Sequence, residues 1–253
     1  MKHAFFITSS IELDPNRPFK GTKKRTVFST EERLEQTYKT ISSCNQLAPD
    51  STIFLIDSSA SYLSELHNLP NVNYFHLENL NSIVANTVRT YSNKSYCECL
   101  MMIEFFKHFK NLLKEFDFVT KLCGRYWFDQ TFNLDLYTEQ NQNKFFLKKP
   151  MSWSGPQIDF LTPDQLPRDL IVDGVLTGTY TVAHGMHRDK IDQYEALMFA
   201  CAQSSMENIK FYYQDVEYAL YYFLRIFNLL DDVIQVPWDV HGRCGVTGNW
   251  VKY

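Results

Sequence analysis

The chain has 253 residues with a formal net charge of -4, and 45% of its residues are hydrophobic against 21% charged. This is ordinary globular composition, which excludes a disordered chain or a coiled coil, and the near-neutral balance argues against a dedicated duplex-DNA binder. At this length about three quarters of the unfolded surface can be buried, so no disulfide or metal staple is needed for stability.

Aromatic residues are in excess, with 20 Phe and 15 Tyr beside nine Gly and nine Pro, which predicts a core of packed rings with few tight turns. Residues 4–7, Ala-Phe-Phe-Ile, read as a buried parallel strand closed by Thr8-Ser9-Ser10. A polar, basic stretch over 14–25 reads as a loop. Ser29-Thr-Glu-Glu32 is a capping box that opens a helix running to about Leu47, before Pro49. Residues 52–57 are a second buried strand ending on Asp57, 60–68 a short helix, and 72–76 a third strand. This β-α-β-α-β opening implies right-handed crossovers and a parallel sheet.

An amphipathic helix follows over about 95–115, then a strand over 116–124 with Arg125-Tyr-Trp-Phe-Asp129 just past its end. Further strands are expected over 144–148, 176–182 and 233–236, and helices over 191–202 and 215–227. No repeat or low-complexity tract interrupts this, so the expectation is one α/β domain over 1–253, with the half after residue 150 forming a pocket wall. The six cysteines, at 44, 97, 99, 123, 201 and 244, have neither zinc spacing nor a disulfide framework, which suits reduced thiols in a cytoplasmic protein. No apolar run is long enough for a signal peptide or a membrane span.

In an open parallel sheet, ligands bind beyond the carboxyl ends of the strands. That rule selects Thr8-Ser9-Ser10, Asp57-Ser58-Ser59 and Gly124-Arg125-Tyr126. Asp57 could accept from ribose hydroxyls or a base N–H, or could serve as a helix N-cap. The glycine-rich dinucleotide and P-loop fingerprints are absent, as are G-x-S-x-G, H-E-x-x-H and Cys-x-x-Cys.

Phe-Phe-Ile-Thr-Ser-Ser, then Arg33-x-x-Gln36-Thr-x-x-Thr40 ahead of Ile-Asp57-Ser-Ser, resembles the nucleotide-binding half of GT-A glycosyltransferases. Lys121-x-x-Gly124-Arg125-Tyr126 resembles a segment of small bacterial and viral polysaccharide glycosyltransferases. The resemblance covers roughly residues 4 to 132. It implies a GT-A-like, mostly parallel sheet flanked by helices, with a nucleotide-sugar-binding half over 1–132 and an acceptor-side half over 133–253. It also implies a nucleotide-sugar donor and a glycan or glycoconjugate acceptor. Most members of that family hold a divalent metal on an Asp-x-Asp; here that place carries Lys121, Gly124, Arg125 and Tyr126.

A departing diphosphate needs about two positive charges nearby, from a metal or from Lys and Arg directly. The cationic solution is the expectation, with Arg25 as a second phosphate ligand and the alternative that Lys121 and Arg125 are bound in ion pairs. If Mg²⁺ or Mn²⁺ is used, Asp129 is the nearest ligand. An inverting transfer needs a base for the acceptor hydroxyl; the candidates are Asp173, Asp215, Glu217 and Asp239, the last beside His241. His184 and His187 suit hydrogen-bonding or capping better than metal ligation. Two other functions fit the same sheet: a catalytically silent glycan- or nucleotide-binding module, and a sugar nucleotidyltransferase, which would require a carboxylate pair for its metal. Tyr-rich helices late in the chain offer a face for a homodimer.

Overall fold

The strand His3–Ser9 (β1) is buried along its whole length, with Ala4 and Phe6 in one core and Phe5 and Ile7 in the other. Period-two alternation of apolar side chains on both faces fits only a strand inside a covered sheet. The computed structural model describes residues 1–20, 22–153, 171–172, 175–207, 216–245 and 247–252.

Ser29 caps the helix Thr30–Leu47 (α1) through the expected capping box, its Oγ accepting from Glu32 N while Glu32 Oε2 accepts from Ser29 N. The strand Thr52–Asp57 (β2), the short helix Ser64–His67 (α2) and the strand Val72–His76 (β3) follow. Helices Leu77–Leu80 (α3), Ser82–Thr90 (α4) and Lys94–Leu113 (α5) lead to the strand Phe118–Cys123 (β4). Beyond it come strands Tyr126–Phe128 (β5), Phe145–Lys148 (β6), Met151–Trp153 (β7), Ile171–Val172 (β8), Val175–Gly178 (β9) and Ala183–His187 (β10). Helices Ile191–Glu207 (α6) and Val216–Ile226 (α7) precede strands Val233–Val236 (β11), Val240–Arg243 (β12) and Trp250–Lys252 (β13).

Seven strands form the central sheet in the order β11-β6-β10-β4-β1-β2-β3. All neighbours run parallel except β10, which lies antiparallel between β4 and β6. Helices α5, α6 and α7 cover one face and α1 the other. The aromatic excess fills both cores: Phe6 stacks on Phe105 at 4.3 Å on one side, and Phe118 on Tyr137 at 4.6 Å on the other. Two small sheets, β13-β12-β5 and β7-β9-β8, complete the described fold.

The strand expected over 176–182 ends at Gly178, and a further strand, β10, begins only at Ala183. Thr179 N donates to the Glu217 carbonyl on α7, which takes the backbone out of one ladder before β10 enters another. His184 and His187 lie within β10, which leads through the turn Arg188–Lys190 into α6.

Candidate active site

The chain builds outward from β1 through β2 to β3, then returns to the other side of β1 with β4. The strand order reverses there, and the loops leaving β1 and β4 part to leave a crevice. In register, Thr8 faces Cys123 on β4 and Ser9 faces Asp57 on β2, so the three strand ends reach one level. A cavity of about 230 Å³ opens at this point, lined by Thr8, Ser9, Ser10, Gly124, Arg125 and Tyr126, among others.

A small knot of hydrogen bonds sets the floor. Gly124 N donates to the Thr8 carbonyl at 2.8 Å, and Thr37 Oγ1, on α1, donates to the Gly124 carbonyl at 3.0 Å. A Cβ at position 124 would lie 3.0 Å from both Cβ and Oγ of Ser9, so the strand ends approach this closely only across a glycine.

Among the described residues four cations line the cavity: Arg25, Arg33, Lys94 and Arg125. Arg33 is buried on α1, where Nε and Nη2 both donate to the Ser10 carbonyl and hold the end of β1. Burial, then the neighbouring Arg125 guanidinium, pulls the Arg33 pKa well down. Arg125 Nη1 donates to the Arg243 carbonyl at 3.1 Å, tying the loop after β4 to β12. Arg25 donates to the carbonyls of Arg17, Val88 and Tyr91 and lies 4.1 Å over the Phe19 ring, so it fastens the basic loop to the end of α4. Desolvation works against the Lys94 ammonium, but Glu98, Tyr126 and Glu217 outweigh it and raise its pKa.

The cavity carries two carboxylates among the described residues, Glu98 on α5 and Glu217 in the first turn of α7. Burial pushes the Glu98 carboxyl up, but the Lys121 and Lys94 ammoniums prevail and hold its pKa at about 2. Lys121 is 0% exposed and does not line the cavity. Its three donors meet Glu98 Oε1 at 2.5 Å, Cys123 Sγ at 2.9 Å and the Thr181 carbonyl at 2.8 Å. Lys121 therefore stands beneath the cavity wall with its ammonium committed to Glu98 on α5, and not on the cavity surface where a direct phosphate contact was expected.

Asp57 is also 0% exposed and does not line the cavity. Its carboxylate accepts from Ile11 N at 3.1 Å and Ser59 N at 3.0 Å, which shapes the loops after β1 and β2. Burial raises its pKa against those bonds. The ribose or base contact expected of Asp57 thus becomes support for the Thr8–Ser10 segment.

Asp129 and Asp239 lie together at the edge of the small β13-β12-β5 sheet, outside the cavity lining. Asp129 Oδ2 meets His241 Nε2 at 2.9 Å and Oδ1 accepts from Thr131, while Asp239 pairs with Lys252 at 2.7 Å and Lys148 at 3.7 Å. His184 Nε2 bonds to the Tyr194 hydroxyl at 2.6 Å, and His187 caps the turn Arg188–Lys190. Asp173 and Asp215 lie outside the described residues.

The structure thus brings together Thr8, Ser9, Ser10, Arg25, Gly124, Arg125, Tyr126 and Glu217, and adds Arg33, Lys94 and Glu98, which sequence reasoning did not single out as site residues. Arg33 stands in the segment that carries the family resemblance. Lys94 and Glu98 are an i,i+4 pair at the start of a helix, a pattern that on most helices is only surface charge.

No protein-family model and no curated protein sequence matches this chain. Solved structures do. The apo structure of WbbM, a bifunctional glycosyltransferase, superposes with a TM-score of 0.50 over 93% of this chain at 13% identity. This chain spans 39% of the WbbM chain. Mouse xyloside xylosyltransferase 1 in its apo form gives a TM-score of 0.50 at 12% identity, over 93% of this chain and 85% of that one. The fold is that of GT-A-type glycosyltransferases.

Proposed function

We propose that this protein transfers a sugar from a nucleotide-activated donor to a glycan acceptor, with the donor diphosphate held in the cavity at the ends of β1 and β4. The observation that carries this reading is the cavity's charge: four cationic side chains against two carboxylates, one of them already paired with Lys121. Cations that outnumber the acids lining a cavity leave a positive potential that a diphosphate satisfies, and charge-assisted bonds from guanidinium to phosphate are strong and directional. Arg125, Arg33 and Lys94 would face the phosphates, Gly124 would admit them close to the backbone, and Thr8 to Ser10 would border the nucleoside. Arg25 acts mainly by holding the basic loop over the site. Lys121 acts one step back, fixing Glu98 as an anion beside Lys94.

The donor set does not fit a divalent metal. The two carboxylates stand on separate helices, Glu98 Oε1 is taken by Lys121, and among the described residues no group of three metal-ligating side chains occurs. A cationic clamp therefore stands in for the ion, neutralising the leaving group as charge develops on it. Glu217, one of the four carboxylates expected as candidates and, among the described residues, the one of them that lines the cavity, would take the acceptor proton if the transfer inverts.

Incubation with a panel of sugar nucleotides, with and without EDTA, tests this reading. Slow donor hydrolysis that EDTA leaves unchanged and Arg125→Ala abolishes is the expected result. Strict metal dependence contradicts the cationic clamp, and nucleotide binding with no turnover on any donor supports a silent binding module instead.

A further inference from the structure

Arg125 lines the cavity, and Trp127 follows two residues later in β5. Across the small sheet Trp127 faces His241, His241 faces Lys252, and Arg243 faces Trp250. Directly opposed residues share a face, so all five side chains emerge on one side, while Tyr126, Phe128 and Val240 turn into the core.

The two indoles meet edge to face, 5.7 Å apart, and Trp250 is 67% exposed. Lys39 of α1 lies 3.8 Å from the Trp127 ring centroid and 5.9 Å from that of Trp250. Of the other charges nearby, His241 is matched by Asp129 at 2.9 Å and Lys252 by Asp239 at 2.7 Å, while Arg243 Nε donates to the Gly248 carbonyl and its guanidinium lies 4.7 Å from the Phe28 ring centroid. Among the described residues Lys39 meets only the two rings.

We propose that this face of the β5-β12-β13 sheet binds an acidic sugar residue of the acceptor glycan, its ring stacked on Trp250 and its anionic group on Lys39. This assignment rests on the transferase reading above. A pyranose ring offers an apolar face to an indole and a hydroxyl edge to the polar rim formed by Asp129–His241 and Asp239–Lys252. The uncompensated ammonium selects an anionic ring over a neutral one. Continuity with the donor cavity is direct, because Arg125 bonds to the carbonyl of Arg243, the residue opposite Trp250. A glycan lying on the indoles would extend from the place where Arg125 meets the diphosphate.

The test uses the whole chain on an array of immobilised neutral, uronate-containing, sialylated and phosphorylated oligosaccharides, with uridine and guanosine diphosphate affinities measured in parallel by calorimetry. Binding confined to acidic glycans, weakened roughly tenfold or more by Trp250→Ala and by Lys39→Gln, is expected. Both variants alter exposed side chains and should keep the wild-type diphosphate affinity. Equal binding of neutral glycans, or acidic binding undiminished by Trp250→Ala, overturns the assignment. A chain that binds a nucleoside diphosphate but no glycan overturns it while leaving the transferase reading standing, and a chain that binds neither overturns both.

Discussion

The ammonium of Lys121 and the carboxylate of Glu98 form a buried ion pair, 2.5 Å apart, between β4 and α5 under the cavity wall. It is the point where the sheet meets the helix that carries Lys94 and Glu98 to the site. Removing Glu98 leaves the fully buried Lys121 ammonium uncompensated, at a cost of about 3–5 kcal/mol. Glu98→Gln and Lys121→Met should each lower the unfolding midpoint in urea strongly, and the double variant should lose less than the sum. Additive losses would mean that the two groups do not act as a pair.

The same pair makes stability depend on acid. The folded Glu98 pKa, about 2, lies below its ordinary value of 4.5. Its contribution is therefore complete above about pH 4.5 and is lost as pH falls through the folded value. Urea midpoints of the wild type should drop between about pH 5 and about pH 2, and Glu98→Gln should drop less over that window. Parallel curves for the two proteins would contradict the assignment.

Arg125→Ala should weaken nucleoside-diphosphate binding by about 1.5–3 kcal/mol, the range for a hydrogen bond to a charged group. Calorimetry reads this directly. An undiminished affinity would remove Arg125 from the phosphate site.

Asp129→Asn should leave both diphosphate affinity and its insensitivity to EDTA unchanged, because the carboxylate serves Thr131 and His241 outside the cavity lining. A loss of affinity that added Mn²⁺ or Mg²⁺ restores would identify Asp129 as a metal ligand after all.

Gly124→Ala places a methyl 3.0 Å from Ser9 Cβ and Oγ and 3.2 Å from the Thr8 carbonyl oxygen. Overpacking of this kind costs about 1–3 kcal/mol. Both the thermal midpoint and diphosphate affinity should fall, since the knot that joins β1, β4 and α1 also shapes the cavity floor. A variant as stable as wild type would show that the strand ends can part freely.

The parallel half of the sheet was legible because each strand is a short, continuous apolar run with a polar stop, and Ser29 with Glu32 marks a helix start chemically. The cavity's location was legible for the same reason, since topology fixes which strand ends converge. Individual roles were harder. Asp57 closes β2 and Lys121 lies two residues before the end of β4, where a ligand contact and a buried support look alike in sequence; only their partners, Glu98 and the Ile11 amide, separate the two. Alternation continued past Gly178 in the sequence, so the break between β9 and β10 was hidden until α7 supplied the Glu217 carbonyl. The edge-to-face pairing of Trp127 with Trp250 joins residues far apart in the chain, and no local pattern announces it.

The most direct measurement is a crystal structure of the protein with a bound nucleoside diphosphate. The account predicts the phosphates between the Gly124 backbone and the guanidiniums of Arg125 and Arg33, with Lys121 still on Glu98. Phosphates bound elsewhere, or bridged to the protein by a metal on Asp129, would contradict it.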